Sequence, residues 1–405
     1  MAVFCPQLFK PPHLQASESS ARASVTCTLG RANPSCFGCM KKALLALLLI
    51  AFAVVACEKD DDEVPLVPDP DPVQPVSPVV FDLAQVPYPV LSDYNFFQGD
   101  LAALSPVTGV LPYEVITPLF SDYAHKKRFV WMPNGSKASY VSDSTVLDFP
   151  NGAVLIKNFY YDHVQPEDVT RILETRLLFK RNGAWEFADY IWNAEQTEAT
   201  LDLLGSYVPI TWLNDDGSQH STTYRIPSAA ECQTCHKRDN LPIPIGPKPQ
   251  NLNKDLAYAG GTMNQLAKWQ EVGYLNSGLP GNIETVVRWD DPSQSLNDRV
   301  RAYVDMNCSH CHANNRHCDY RPMRFAWRET TVPEMLGVCV APDDPLLPQH
   351  SHIVKPMNLE RSLLYYRISA TNETERMPLL GRTVVHEEAQ QLIADWINSL
   401  TQICP

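Results

Sequence analysis

Residues 232–236 read Cys232-Gln233-Thr234-Cys235-His236, and residues 308–312 read Cys308-Ser309-His310-Cys311-His312. Two thiols three positions apart, followed at once by an imidazole, place two sulfurs and one ring nitrogen on a single turn of chain. Such a set can add to the two vinyl groups of a haem and reach its iron from one side, and C-x-x-C-H is the spacing of c-type attachment. Two copies imply two covalently bound haem c groups, one on Cys232, Cys235 and His236 and one on Cys308, Cys311 and His312, with His236 and His312 as iron ligands. A zinc site made of the four motif cysteines is the chemical alternative. The pairs stand 73 residues apart (308 minus 235), and zinc gives no reason for a histidine directly after each second cysteine. A redox dithiol would require one pair in a thioredoxin-like βαβ setting.

Each iron needs a further axial ligand or an open position. Met377-Pro378 follows His312 by 65 residues (377 minus 312) and precedes an amphipathic stretch, Glu387 to Leu400, in which Ala389, Leu392, Ile393, Trp396, Ile397 and Leu400 share one face. This order resembles class I cytochrome c, in which an attachment helix, a loop ending in Met-Pro and a C-terminal helix enclose the haem; the resemblance implies Met377 as the sixth ligand. For the first haem, Met263 is the leading candidate, just ahead of the helical stretch Asn264 to Trp269. An empty position there would let that haem bind a small molecule or peroxide. His310, inside the second motif, is expected to point away from its iron.

Upstream, Lys41 and Lys42 precede an uncharged apolar run, Ala43 to Ala56, that is too short to span a bilayer. Val54-Val55-Ala56-Cys57 follows and resembles a bacterial lipobox, which implies an export signal over 40–57 and lipid attachment at Cys57; plain secretion is the alternative. Translation is expected to start at Met40, which makes 1–39 an upstream extension outside the mature protein. Residues 58–80 are dense in Pro and Asp and read as an extended spacer, its acidic start resembling the stretch that directs some bacterial lipoproteins to the cell surface. The expected location is the cell envelope, with a lipid anchor in the outer membrane and the protein facing the periplasm or the surface. Export agrees with the motifs, because covalent haem attachment takes place outside the bacterial cytoplasm.

A net charge of −13 over 405 residues, with no basic block, argues against nucleic acid as a partner and for basic redox proteins docking on an acidic surface. Twelve cysteines fit an oxidising compartment. Of those not in the attachment motifs, Cys318 and Cys339 are expected to pair, leaving Cys404 as an odd thiol.

Residues 81–225 read as a β-rich module. Lys127 to Met132, Val146 to Tyr161 and Thr175 to Asn193 are rich in β-branched and aromatic residues, and Asn182-Gly183 marks a two-residue hairpin turn. Repeated short strands favour a sandwich-like arrangement. Helical patterns return at Met263 to Leu275, Leu296 to Asn307 and Glu387 to Leu400. The expected fold class is therefore multidomain α+β: a β-rich, sandwich-like module followed by mainly α-helical, cytochrome c-like haem modules over 226–295 and 296–405.

Thr117-Pro118-Leu119-Phe120-Ser121-Asp122-Tyr123, Phe149-Pro150-Asn151-Gly152 with Val154 to Phe159, Tyr224-Arg225-Ile226-Pro227-Ser228, Asn264-Gln265-Leu266 and Asn307 to His312 together resemble a family of exported bacterial diheme c-type cytochromes of uncharacterised role. The similarity runs over about residues 85 to 400. It implies two haems, a β module forming one unit with them, and no particular substrate. An electron carrier is the first reading, since Met377 closes one site and no acid-base pair near either motif stands out as catalytic. A diheme peroxidase-like enzyme and a binding module whose haems supply electrons are the alternatives. Peptide mapping of the expressed protein is expected to recover no residue before Met40.

Overall fold

The computed structural model describes residues 76–214 and 216–405, all within one compact unit. The stretch 1–39, the signal over 40–57 with Cys57, and most of the 58–80 spacer lie outside the described residues. No helix of the described residues is long and apolar enough to cross a membrane.

Eight strands form one antiparallel sheet: β1 (Leu111–Tyr113), β2 (His125–Trp131), β3 (Val154–Val164), β4 (Val169–Arg181), β5 (Ala184–Trp192), β6 (Ala199–Asp202), β7 (Ser206–Leu213) and β8 (Gln219–Ile226). The first six lie side by side in chain order. β7 and β8 pair along their length, and the pair joins the sheet where Val164 meets Trp212. Asn182 and Gly183 turn β4 into β5 with φ of 52° and 80°, the left-handed conformation that a two-residue hairpin requires. Long strands twist, and β3 against β4 relieves the twist by register shifts at Phe159/Tyr160 and Tyr161/Val164, which turn its far end toward β7.

This is a single sheet and not the expected sandwich. Near-continuous apolar runs in β3 and β4 show that both faces are covered but not by what. One face carries Phe129, Trp131, Ile156, Leu177, Phe179, Tyr190 and Trp192, and it is covered by the segment that includes Leu91, Tyr94, Phe96 and Leu104. The other face carries Val130, Leu155 and Leu178 at one end, against Leu252, Leu266, Trp269 and Leu275 from later in the chain.

The second half is not the expected set of mainly α-helical haem modules. It contains α1 (Ala229–Cys235), β9 (Lys237–Arg238), β10 (Leu241–Pro242), α2 (Pro249–Leu252), β11 (Asp255–Tyr258), β12 (Gly261–Asn264), α3 (Gln265–Glu271), α4 (Leu296–Asn307), α5 (Leu363–Ser369) and α6 (Glu387–Ser399). Between α4 and α5 there are only two 3-10 turns. Pro322, Pro333, Pro342, Pro345, Pro348 and Pro356 lie in that interval, and each lacks the N–H that a continuing helix needs. The expected C-terminal helix does form: α6 buries Ala389, Leu392, Ile393, Trp396 and Ile397 against Val300 and Val304 of α4.

The segment Thr117–Tyr123 ties the sheet to this second half. Thr117 N–H donates to Asn251 Oδ1 at 3.0 Å and its hydroxyl to the Val287 carbonyl at 2.8 Å. Phe120 N–H donates to Asn307 Oδ1 at 2.8 Å, beside the second motif. The Phe120 ring stacks on His386 with centroids 4.1 Å apart. Asp122, 2% exposed, accepts from Thr383 N–H at 2.6 Å, Thr383 Oγ1 at 2.8 Å and Val384 N–H at 3.1 Å. Asp122→Asn keeps the shape and tolerates the left-handed backbone (φ 47°), but it turns an acceptor into a donor. It is expected to cost about 1–3 kcal/mol in urea denaturation with an unchanged m-value.

Candidate functional site

Helix α1 starts at a capping box: Ser228 Oγ accepts from Glu231 N–H at 3.3 Å, and Glu231 Oε2 accepts from Ser228 N–H at 3.0 Å. That start fixes the phase of the helix, and the spacing of three puts the Cys232 and Cys235 side chains on one face. His236 N–H closes the turn on the Cys232 carbonyl at 2.9 Å. In the second motif α4 delivers the chain, and His312 N–H closes on the Cys308 carbonyl, also at 2.9 Å. The two motifs share this local turn although different elements feed them.

His236 Nδ1 lies 3.0 Å from the Ile243 carbonyl oxygen. A carbonyl only accepts, so Nδ1 carries the proton and the Nε2 lone pair remains for a ligand, the tautomer that metal-bound histidines adopt. Burial pushes the His236 pKa down to about 3 and the His312 pKa down to about 4, so both rings are neutral near pH 7. His312 packs edge-on against Phe325, and its buried Nδ1 has no hydrogen-bond partner among the described residues. Burial raises the Cys232 and Cys308 thiols to about 12. Paired thiols beside neutral imidazoles with an available nitrogen are a donor set that suits a covalently attached iron porphyrin.

The two motifs, far apart in sequence, meet in space. A ligand nitrogen of His310 and the Sγ atoms of Cys235 and Cys311 all lie within 4.8 Å of one another. The two thiols act on each other, which lowers the pKa of Cys235 and raises that of Cys311. The following residues are joined as well: Asp239 N–H donates to the Asn315 carbonyl at 3.0 Å and Arg316 Nη1 to the Lys237 carbonyl at 3.1 Å.

Beside the first motif lies a cavity of about 680 Å³, a volume that includes the open solvent at its mouth. Cys232, Cys235 and His236 line it. Leu119 and Phe120 contribute further wall, as do Pro378 with Leu380 and Arg176 with Asp189 from the sheet. His310 also lines it; its Nδ1 lies 3.3 Å from the Met306 carbonyl. A smaller cavity of about 300 Å³ holds Cys308 and Met377 together, with Tyr303, Arg382 and His386. The residue expected as sixth ligand of the second haem therefore shares a cavity with one of that motif's cysteines.

Two expectations are corrected. Met263 sits opposite Leu256 in the β11–β12 hairpin, 38% exposed, and lines neither cavity. Its neighbour Gln265 takes the inward place, donating to the carbonyls of Glu114 and Leu252 at 3.0 Å each. Cys339 pairs with Cys404 and not with Cys318. Cys339 lies beside Val354, where its N–H finds a carbonyl, and the tail beyond α6 returns Cys404 to a Cα–Cα distance of 5.1 Å. Cys318 instead lies next to the second motif, its N–H on the Cys311 carbonyl at 3.0 Å.

Sequence reasoning missed Leu119, Phe120, Arg176, Asp189 and His310 as cavity residues. Charged residues at inward strand positions were the available signal for Arg176 and Asp189. No family model, curated protein or solved structure matches the chain.

Non-reducing peptide mapping is expected to recover a Cys339–Cys404 cross-link. The bridge closes a loop 65 residues long, so Cys404→Ser is expected to lower stability by about 2–4 kcal/mol in chemical denaturation.

Proposed function

We propose that this chain is a diheme c-type cytochrome that passes single electrons in the cell envelope, anchored to the outer membrane through lipid on Cys57 and docking basic redox proteins on its acidic surface. The observation that carries the reading is the meeting of the motifs: Cys235 and Cys311 lie within 4.8 Å although the chain separates them by 76 positions (311 minus 235). Haems bound at those sulfurs would have neighbouring edges, which is what a two-centre relay needs. Each bound haem would supply a one-electron iron couple. The chain's own residues would hold it by Cys232, Cys235 and His236 or by Cys308, Cys311 and His312, with Met377 on the second iron. A thioether ligand favours the reduced form relative to a second imidazole.

Haem accounts for more of the sequence than zinc does. A metal ion on Cys235, His310 and Cys311 would still lack the usual fourth ligand and would leave Cys232, His236, Cys308 and His312 without a role. The resemblance to exported diheme cytochromes supports the same reading.

A second reading is an enzyme acting on peroxide or a similar small oxidant at the first site. It rests on the makeup of the larger cavity, which among the described residues is lined by no methionine and by no histidine besides His236 and His310.

Protein matured by co-expression with a cytochrome c maturation system is expected to carry two covalent haems by the pyridine haemochrome assay, both low-spin. Met377→Ala is expected to abolish the long-wavelength Met-to-iron band with the haem count unchanged. One high-spin haem that responds to peroxide would put the enzyme first, and zinc without haem would overturn both readings.

A further inference from the structure

The face of the sheet that meets the attachment motifs is apolar at one end but charged in its middle. Cross-strand register aligns Arg128 of β2, Lys157 of β3, Arg176 of β4 and Asp189 of β5 in one row. The next row along aligns Lys126, Phe159 and Glu174. Partners in register, and residues two apart on one strand, share a face, so all of these point the same way. Arg176 and Asp189 belong to the wall of the larger cavity, together with Cys232 and His236. Lys157 is one strand further along, roughly 4.8 Å away, close enough that its charge acts on His236.

The charges in these rows do not balance. Arg176 is satisfied by Glu174, with Nη2 to Oε1 at 2.6 Å and Nε to Oε2 at 2.8 Å, and Tyr224 donates to the same carboxylate at 2.6 Å. Asp189 lies 3.6 Å from Arg176, has one buried oxygen without a partner, and is pushed up to about 8, chiefly by burial. Lys126 donates to the Ala124 carbonyl at 2.7 Å. Arg128 and Lys157 remain: among the described residues neither has a carboxylate within 4.0 Å or a side-chain hydrogen bond, and the Lys157 ammonium only faces the Phe159 ring, 4.7 Å from its centre. Burial, together with Arg128, Arg176 and Lys126, holds the Lys157 pKa well below its usual range. A partly buried cation without a counter-charge is costly. Two such cations side by side, in register with the Arg176 and Asp189 that line the cavity, mark a place for a dianion or for two carboxylates.

We infer that Lys157 and Arg128, flanked by Arg176, form a carboxylate subsite on the sheet that takes the two propionates of the haem held at Cys232 and Cys235. The inference rests on the proposed haem and adds what the β module does for it. The module adds cations on the sheet side to the Lys237 and Arg238 that follow the attachment motif. A haem has two propionates, and two cations stand without partners.

The test uses matured, full-length protein. Ferric haem carries one more positive charge than ferrous, so a neighbouring cation favours the reduced form. Lys157→Gln and Arg128→Gln are each expected to keep both haems by pyridine haemochrome, lower the midpoint potential of one haem only, and shift that haem's propionate bending band in resonance Raman. Lys157→Arg is expected to restore the potential. Lys127→Gln removes the same charge from the opposite face of β2 and is expected to leave both potentials in place. Two haems with potentials and propionate bands unmoved in Lys157→Gln would overturn the inference. So would an unmoved band with wild-type potentials that follow added acetate at constant ionic strength, because the cations would then serve an anion from solution. Loss of all haem from the wild-type protein would instead refute the proposed function.

Discussion

The structure depends on a carboxylate that closes one end of a bridge. Asp122 holds the backbone of Thr383 and Val384, and the segment it ends also reaches Asn251, Val287 and Asn307. Seven residues thus touch α2, the loop before α4, the residue just ahead of Cys308, and the loop between Met377 and α6. The backbone conformation at Asp122 and Tyr123, φ of 47° and 65°, is one that non-glycine residues adopt only when their surroundings impose it. Tyr161 supplies part of that constraint by donating to the Asp122 carbonyl at 2.5 Å. The sheet and the attachment motifs are consequently one body, and the cavities between them inherit the rigidity of a strand-anchored frame.

That frame compromises its own sheet. A face covered on both ends by apolar packing would be most stable if its middle were apolar too, yet the middle carries Arg128, Lys157, Arg176, Glu174 and Asp189. The ion pair between Arg176 and Glu174 offsets its own desolvation through bidentate geometry and the Tyr224 hydroxyl. Among the described residues no carboxylate lies within 4.0 Å of the Lys157 ammonium to do the same, and Glu174 acts on it only from further away.

The readable parts of the sequence were those whose signal is local. Asn182-Gly183 needs only its own φ values to make a hairpin, and the apolar stripe of α6 needs only a period of 3.6. Both appear as expected. Met377 shares a cavity with Cys308. Apart from the prolines between α4 and α5, which are a local signal, the failures were questions of what lies across a gap in sequence. Strand alternation could not tell a second sheet from the 91–104 segment, and the pairing of Cys339 depended on a tail that returns after α6. Met263 was chosen for its distance from His236 along the chain, whereas the hairpin phase turns it outward and Gln265 inward. The charged row escaped notice because one inward Lys or Arg per strand is ordinary until register aligns them.

One short loop serves both cavities. Met377 lines the smaller one and Leu380 and Gly381 the larger, while Pro378 lines both. Arg382 secures that loop by donating to the carbonyls of Met377, Arg367, Ile368, Ala370 and Val384, at 2.9–3.1 Å. A guanidinium that collects five carbonyls from two sides cannot release one of them without disturbing the others. The loop is also the one that Asp122 grips at Thr383. A movement that repositions Met377 must therefore move the wall of the larger cavity, and a group seated against Leu380 must press on the backbone that carries Met377. The two sites are mechanically linked through Pro378 as well as adjacent at Cys235 and Cys311. Differences between them consequently arise from which side chains the shared loop turns toward each, and not from two independently folded modules.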